Sequence, residues 1–338
     1  MIVKSACIGS LALLSPCAFA QDGVTLYGLI DQFAQYVNTG NGYTAALGSS
    51  GQWASRIGLK GSEDIGGGNQ IRFVLENGFN PTDGTLAQDG TMFNRQAWVG
   101  VSGAWGQVRA GRQNSPLFID QSGQDAFAGV TQASGMDNLT VFAFRTSNTI
   151  SYMTPEIGGF QAGVFVGFGD AGGLRSAGSS YQFDVTYEHG PLAAFVAGQW
   201  LKNATNTTTD RAILAGASYT IGNATVYGGY SNSKWDDIGI DTRVYGLSAK
   251  YQLNPASYVS LGYTILRDQT SQHNNADQLG LMVEYDVSKR TNVYGALSFL
   301  RNHNQAEYTL AGAANAGLPL AYPGADARGV QLGVVHRF

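Results

Sequence analysis

Apolar and polar positions alternate with period two along most of this chain. That is the pattern of strands with one face in an apolar medium and one in water. In residues 330–338, the even positions Val330, Leu332 and Val334 are apolar and their neighbours mostly are not. Arg56, Gly58 and Lys60 share one face while Ile57 and Leu59 share the other. In the next strand Arg72 and Glu76 oppose Ile71, Phe73 and Leu75. The pattern predicts sixteen strands, at 24–38, 53–61, 70–79, 95–102, 106–112, 149–154, 160–168, 180–189, 192–202, 211–221, 224–233, 241–252, 258–268, 276–286, 291–302 and 328–338.

The connections alternate as well. Gly103-Ala104-Trp105, Gly190-Pro191, Gly222-Asn223 and Asn254-Pro255 are tight turns. Residues 63–69, with three consecutive glycines, form a slightly longer turn. Between them lie long polar loops such as 39–52, 80–94, 169–179 and 303–327. Long-short alternation is the signature of an up-and-down barrel in an outer membrane, with tight turns on the periplasmic side and long loops outside. The polar face carries charges and glycines, so it faces water. A soluble sandwich needs large residues there. The apolar face then needs lipid. Tyr27, Tyr187, Tyr219, Tyr258, Tyr285 and Tyr294, near strand ends, are candidates for aromatic girdles.

Residues 113–148 break this pattern. They are long, unalternating and carry no strand signal. A structureless connection of that length inside a compact domain is expected only where it serves a function such as a constriction. It is therefore expected to fold inward and narrow a pore.

Composition agrees with a barrel. Charged residues make up 13%, and the chain holds 46 Gly, 17 Tyr and 16 Phe. The first twenty residues read as a secretory signal: Lys4, an apolar run from Ile8 to Leu14, and the small-x-small site Ala18-Phe19-Ala20. The expected division is therefore a signal at 1–20 and one barrel domain at 21–338. Both cysteines, Cys7 and Cys17, fall within the signal, so no disulfide framework is expected. Without Lys4 the chain carries 19 basic against 24 acidic residues, a charge of −5. A nucleic-acid partner would call for a basic surface instead.

Several segments together resemble a known family. They are Val24-Thr25-Leu26-Tyr27-Gly28, Gly61-Ser62-Glu63-Asp64-Ile65-Gly66-Gly67-Gly68, Phe93-Asn94-Arg95-Gln96-Ala97, Gly111-Arg112-Gln113, Pro155-Glu156-Ile157-Gly158-Gly159-Phe160 and the terminal His336-Arg337-Phe338. In this order they resemble the general porins of the β-proteobacterial outer membrane, from Val24 to Phe338. The resemblance implies a homotrimer of sixteen-stranded barrels whose third loop, here 113–148, enters the lumen. It implies passive diffusion of small hydrophilic solutes and ions, with no catalysis and no cofactor. By motif position it makes Arg56, Arg95 and Arg112 wall residues facing acidic loop residues. Where the family often has Lys or Arg before a strand Tyr, this chain has Ser151. The terminal Phe338 is similar to the residue read by barrel-assembly machinery. Lipids and lipopolysaccharide of the outer membrane are the other implied partners.

Alternation adds Lys60, Arg72 and Arg109 to the candidate pore-lining bases. Asp120 and Asp125 are the acidic candidates on the loop, while Asp137 and Arg145 are expected to anchor it. Arg95 and Arg112 have the parity of outward residues and require a break in the strand. Gly167, Gly169 and Gly172 fit a dinucleotide fingerprint, but no helical pattern follows, so a loop is expected. His189, His273, His303 and His336 are scattered and no metal site is expected. Asp236 and Asp237, near Asp241, are a candidate divalent-cation site on an exposed loop. The rival functions are a surface adhesin, a substrate-specific channel using Phe118, Phe127, Phe142 and Phe144 as an aromatic track, and an outer-membrane lipase using His189 or His336.

Overall fold

The computed structural model describes residues 23–127, 131–169, 177–312 and 314–338. The expected signal segment and part of the 167–172 glycine motif lie outside these.

The strands are β1 (Gly23–Asn38), β2 (Tyr43–Ser49), β3 (Arg56–Gly66), β4 (Asn69–Gly78), β5 (Gln96–Gly103), β6 (Gly106–Asn114), β7 (Arg145–Met153), β8 (Phe160–Gly167) and β9 (Ser180–His189). They continue with β10 (Leu192–Lys202), β11 (Thr209–Ile221), β12 (Ala224–Trp235), β13 (Ile240–Asn254), β14 (Ser257–Asp268), β15 (Ala276–Ser288), β16 (Thr291–Asn302) and β17 (Ala327–Arg337). All pair antiparallel with their neighbours, and β1 closes onto β17 through a register running from Leu29 opposite Arg337 to Asn38 opposite Arg328. The result is a closed antiparallel barrel.

Seventeen segments give sixteen staves, because β2 and β3 divide one stave between them. β2 pairs with β1 from Gln32 to Asn38, and β3 pairs with it from Gly23 to Leu29. Residues 43–49 were expected to be loop. They form a strand because β1 runs long enough to offer them a partner. Between β2 and β3, Ser50 adopts φ 64° and the chain dips toward the lumen. The buried Asp31 carboxylate accepts from the Gln52 and Trp53 amides, each at 2.6 Å, and holds this dip.

Closure leaves no sheet edge, which is what a backbone crossing hydrocarbon requires. No helix among the described residues is long and apolar enough to cross a membrane, which says nothing about strands. The outer surface is apolar: Val99, Val164, Leu247, Leu261 and Leu332 are each more than half exposed. The inward positions are Gln, Ser, Thr, Asn, Gly and charged residues, as in Gln278, Gly280 and Glu284 of β15.

Of the six tyrosines expected in girdles, Tyr187, Tyr219 and Tyr285 lie on the outer face. Tyr27, Tyr258 and Tyr294 have inward parity. Tyr27 donates to Glu76 at 2.8 Å, Tyr294 donates to Asp31 at 2.9 Å, and Lys250 sits 4.2 Å above the Tyr258 ring. A phenol suits either face of such a barrel, because its ring tolerates lipid and its hydroxyl finds a partner in the lumen.

Candidate functional site

The chain leaves β6 at Asn114 and enters the lumen as a loop with two short helices. These are α1 (Pro116–Asp120) and α2 (Gly135–Leu139), joined in part by a 3-10 turn at Gln121–Gly123. The stretch is thus not structureless. Ser115 and Ser134 cap the helices, accepting from Phe118 N at 3.2 Å and Asp137 N at 3.0 Å. Pro116 suits the first helical turn, where an amide would be unpaired anyway.

The loop lies along the inner wall formed by β10 to β16. Phe118 and Phe144 pack with Leu117 and Phe142 against Ala197 and Leu214 of the wall. Phe127 packs with Met282 and Ala296. The four aromatics of the expected track therefore serve to seat the loop.

The wall beneath is built from glycines. Gly216 pairs with Gly229 and Gly229 with Gly246, while Gly262 pairs with Gly280. A Cβ at Gly229 would sit 2.7 Å from Gln124 O, and one at Gly246 2.5 Å from Met136 Sδ. At Gly262 it would sit 2.7 Å from the Phe127 ring, and at Gly280 it would overlap the Ala133 carbonyl. Between the glycines, short polar side chains satisfy the loop backbone. Ser248 Oγ accepts from Ala126 N at 2.9 Å, and Ser260 donates to Ala126 O at 2.8 Å. Gln278 and Ser298 both donate to Gln132 O at 2.8 Å. These bonds answer the requirement that a buried backbone find partners.

The opposite arc, β3 to β6, carries no loop and holds the bases. Arg56, Lys60, Arg72 and Arg109 take inward positions on their strands. Glu76 is 4% exposed and forms the hub. Arg95 Nε lies 2.7 Å from its carboxylate and Arg56 Nε 3.5 Å from it. Arg95 departs from strand parity because it precedes the first β5 residue, Gln96, so alternation does not govern it. Lower on the wall, Arg72 and Arg109 flank Gly100 in one cross-strand row, and the Arg109 guanidinium stacks 4.5 Å over Trp98. Ser151 is buried and donates to Gln113 Oε1 at 2.8 Å, so the position is filled by a neutral pair.

Other expected residues stand elsewhere. Arg112 pairs with Ala97 on the outer-face register, just before a register shift between Gly111 and Gln113. Its guanidinium binds Asn94 O and Ser147 Oγ, each at 2.8 Å, at the rim near the 80–94 loop. Asp125 is 4% exposed and accepts from Phe127 N and Ser134 Oγ, so it braces the loop from within. Asp137 accepts from Gln121 in the same loop, and burial holds its carboxyl well above the usual range. Arg145 sits 5.0 Å over the Phe118 ring, where the loop rejoins the barrel. Asp120 faces Asp184 of β9 and not the arginines. Burial, and secondarily that like charge, push its pKa up to about 8.

Alternation puts Glu76 on the water-facing side with Arg72, but neither it nor three other participants are among the expected site residues. Tyr27, Glu76 and Arg337 are inward on β1, β4 and β17, and Trp53 comes from the dip between β2 and β3. Arg337 lies 5.7 Å over the Trp53 ring and donates to Asn292 at 2.8 Å. The signal was present for Arg337, which shares parity with Gln331 and Gly333.

Among the described residues no group of three metal-ligating side chains occurs. At the candidate cation site, Lys234 already stands 3.7 Å from Asp236 and 3.9 Å from Asp241. His336 shares a hydrogen bond with Thr291 at 2.9 Å, and His189 stacks on Tyr187.

A family model described as Gram-negative porin matches residues 6–305. The chain is 35% identical to outer membrane porin protein 32 of Delftia acidovorans, over 97% of this chain and 98% of that one. It superposes on the anion-selective porin from Comamonas acidovorans with TM-score 0.80 and 33% identity, covering 94% of this chain and all of the other. OmpT of Vibrio cholerae in its trimer form shares the fold at TM-score 0.71 and 17% identity, over 94% and 99% of the two chains. The closed barrel, its wet inner face and these likenesses lead to one statement: the chain belongs to the Gram-negative porins, passive diffusion channels of the outer membrane and not enzymes.

Proposed function

We propose that the channel favours small anions, and that selectivity arises from the bases of the β3–β6 arc acting across the gap left by the 113–148 loop. One observation carries this. Arg56, Lys60, Arg72, Arg109 and Arg337 take inward positions on the arc that the loop leaves bare, while Arg95 is buried beside them against Glu76, the carboxylate that Arg56 shares. The loop acids Asp125 and Asp137 are turned into the loop, so they do not cancel that field. The similarity to a porin described as anion-selective supports the same direction. Selectivity of this kind needs no tight site, only a water-filled constriction whose lining favours one sign.

The remaining parts of the proposal follow from the family. The chain is exported by a signal cleaved after Ala20. Its terminal Phe338 is read by barrel-assembly machinery, and three copies assemble in a membrane of phospholipid and lipopolysaccharide. In the fold, Phe338 exchanges two backbone hydrogen bonds of 3.0 Å with Gly28, which places the terminus at the seam where the barrel closes. The test is the permeability ratio in planar bilayers. Anion preference lost on replacing Arg56, Arg95, Arg72 and Arg109 by Gln supports the reading. An unchanged ratio contradicts it.

A further inference from the structure

The arginines of the bare arc and its seam already donate to the protein. Arg95 Nε donates to Glu76 at 2.7 Å, and Arg56 Nη1 donates to Ala54 O at 3.0 Å. Arg72 and Arg109 each direct two donors at the side-chain oxygen of a nearby glutamine on the same strand, Gln70 and Gln107. Arg112 donates to Asn94 O and Ser147 Oγ, and Arg337 to Asn292 Oδ1, all at 2.8 Å. Arg145, where the loop rejoins the wall, is different. Among the described residues its guanidinium has no hydrogen bond and no ion pair, and its Nε is buried without a partner.

The surroundings of Arg145 do not neutralise it. The charges that act on it are, in order, Arg95, Glu76, Arg112 and Arg56. Three of these are cations, and the carboxylate is held by Arg95 and Arg56. Thr149 and Ser151, the buried residues that follow on β7, are neutral. The guanidinium instead lies over the Phe118 ring, 5.0 Å from its centre. Phe118 is a fixed platform, packed 5.4 Å from the Phe144 ring and seated with Leu117 on Ala197 and Leu214. A cation over a ring engages its own face and leaves its in-plane donors free. Donors held unpaired away from water are costly, so the site lacks an acceptor that the protein does not supply.

We propose that Arg145 is the residue a passing anion touches, and that it forms a subsite for planar oxyanions such as carboxylates. The inference rests on the anion reading above and names the solute class. A guanidinium fork meets two carboxylate oxygens with two parallel donors, whereas a halide offers a single centre. The guanidiniums of the arc, tied to Glu76, glutamines and carbonyls, act through their charge. Arg145 acts through its free donors as well. The arc thus supplies the field, and the foot of the loop supplies the contact.

The test uses the full-length barrel in planar bilayers, with chloride and formate as the anions and potassium as the cation. Conductance and two permeability ratios are read for the wild type, Arg145→Gln and Arg145→Lys. Arg145→Gln removes one charge and should lower the preference for chloride over potassium about twofold. Arg145→Lys keeps the charge and the ring contact but loses the fork. It should leave that preference alone and lower the preference for formate over chloride about twofold, the low end of one hydrogen bond. Single-channel conductance in chloride should be unchanged in Arg145→Lys. A wild-type formate-over-chloride ratio in Arg145→Lys would overturn the subsite. Raised conductance in both variants with both ratios unchanged would make Arg145 an anchor of the loop and overturn it too. A wild type with no anion preference would strike the reading of the arc instead, and the formate ratio of wild type against Arg145→Lys would still decide the subsite.

Discussion

Two arcs of one barrel solve opposite problems. Along β3 to β6 the inner face meets water, and it carries long charged side chains around Glu76. Along β11 to β15 the inner face meets a folded loop, and it carries glycines in cross-strand register, from Gly216 to Gly229 to Gly246 and from Gly262 to Gly280. Both arcs read as polar in an alternation analysis. What separates them is the neighbour each must accommodate. A guanidinium on the bare arc has room to lie along the wall against a counter-charge or a ring, whereas a Cβ under the loop would collide with loop atoms. The bare arc therefore sets charge and the glycine arc sets width.

The largest effect should come from the charged hub. Replacing Glu76 by Gln leaves Arg56 and Arg95 beside each other without their counter-charge, a loss on the order of 3–5 kcal/mol for a buried pair broken on one side. Unfolding of the refolded barrel in urea should shift accordingly, and Glu76→Asp should restore part of the loss. An unchanged unfolding midpoint for Glu76→Gln would show that the hub carries no stability.

Next comes the glycine arc. Gly280→Val should cost about 1–3 kcal/mol, the range for forcing volume into a packed position. The loop cannot then seat on β15, so single-channel conductance should rise. A Gly228→Val control on the outer face of β12, where an added Cβ meets open space, should leave conductance alone. Equal conductance in the two variants would break the division between width and charge.

Charge effects on permeation are smaller. One charge about 10 Å from the ion path in water contributes roughly 0.4 kcal/mol, about a factor of two. Neutralising Arg56, Arg95, Arg72 and Arg109 together should lower anion preference by about 1.5 kcal/mol, near tenfold. Reversal potentials in a salt gradient measure this directly.

The smallest effect belongs to Asp120. Its carboxyl is neutral below its raised pKa of about 8 and ionises above it. Ionisation adds one negative charge to the lumen, so anion preference should fall about twofold between about pH 6 and about pH 10. Asp120→Asn should flatten that profile. A slope retained in the variant would assign the titration to another group.

Much of this was legible in the sequence, for physical reasons that also mark where it ended. Period-two alternation survives because lipid and water sit on opposite faces of each strand, and the inward loop stood out by lacking it. The inward placement of Arg56, Lys60, Arg72 and Arg109 followed from parity alone. Parity failed where the backbone is irregular, at the register shift beside Arg112 and ahead of β5 at Arg95. The girdle expectation failed for Tyr27, Tyr258 and Tyr294 because it rested on position near strand ends and not on parity, and a phenol suits either medium. Asp120 and Asp125 could be placed on the loop but not oriented, because orientation depends on which wall the loop covers. The glycine register was invisible for the same reason, since spacing along one strand says nothing of what lies opposite. The strand at 43–49 was missed because its pairing depends on the length of β1.

Ion selectivity measured as a function of salt tests the central claim most directly. Reversal potentials across a fixed gradient should show clear anion preference near 0.05 M salt and lose most of it near 1 M, where the screening length falls to about 3 Å. A preference unchanged across that range would contradict a wet lumen biased by charges on one side.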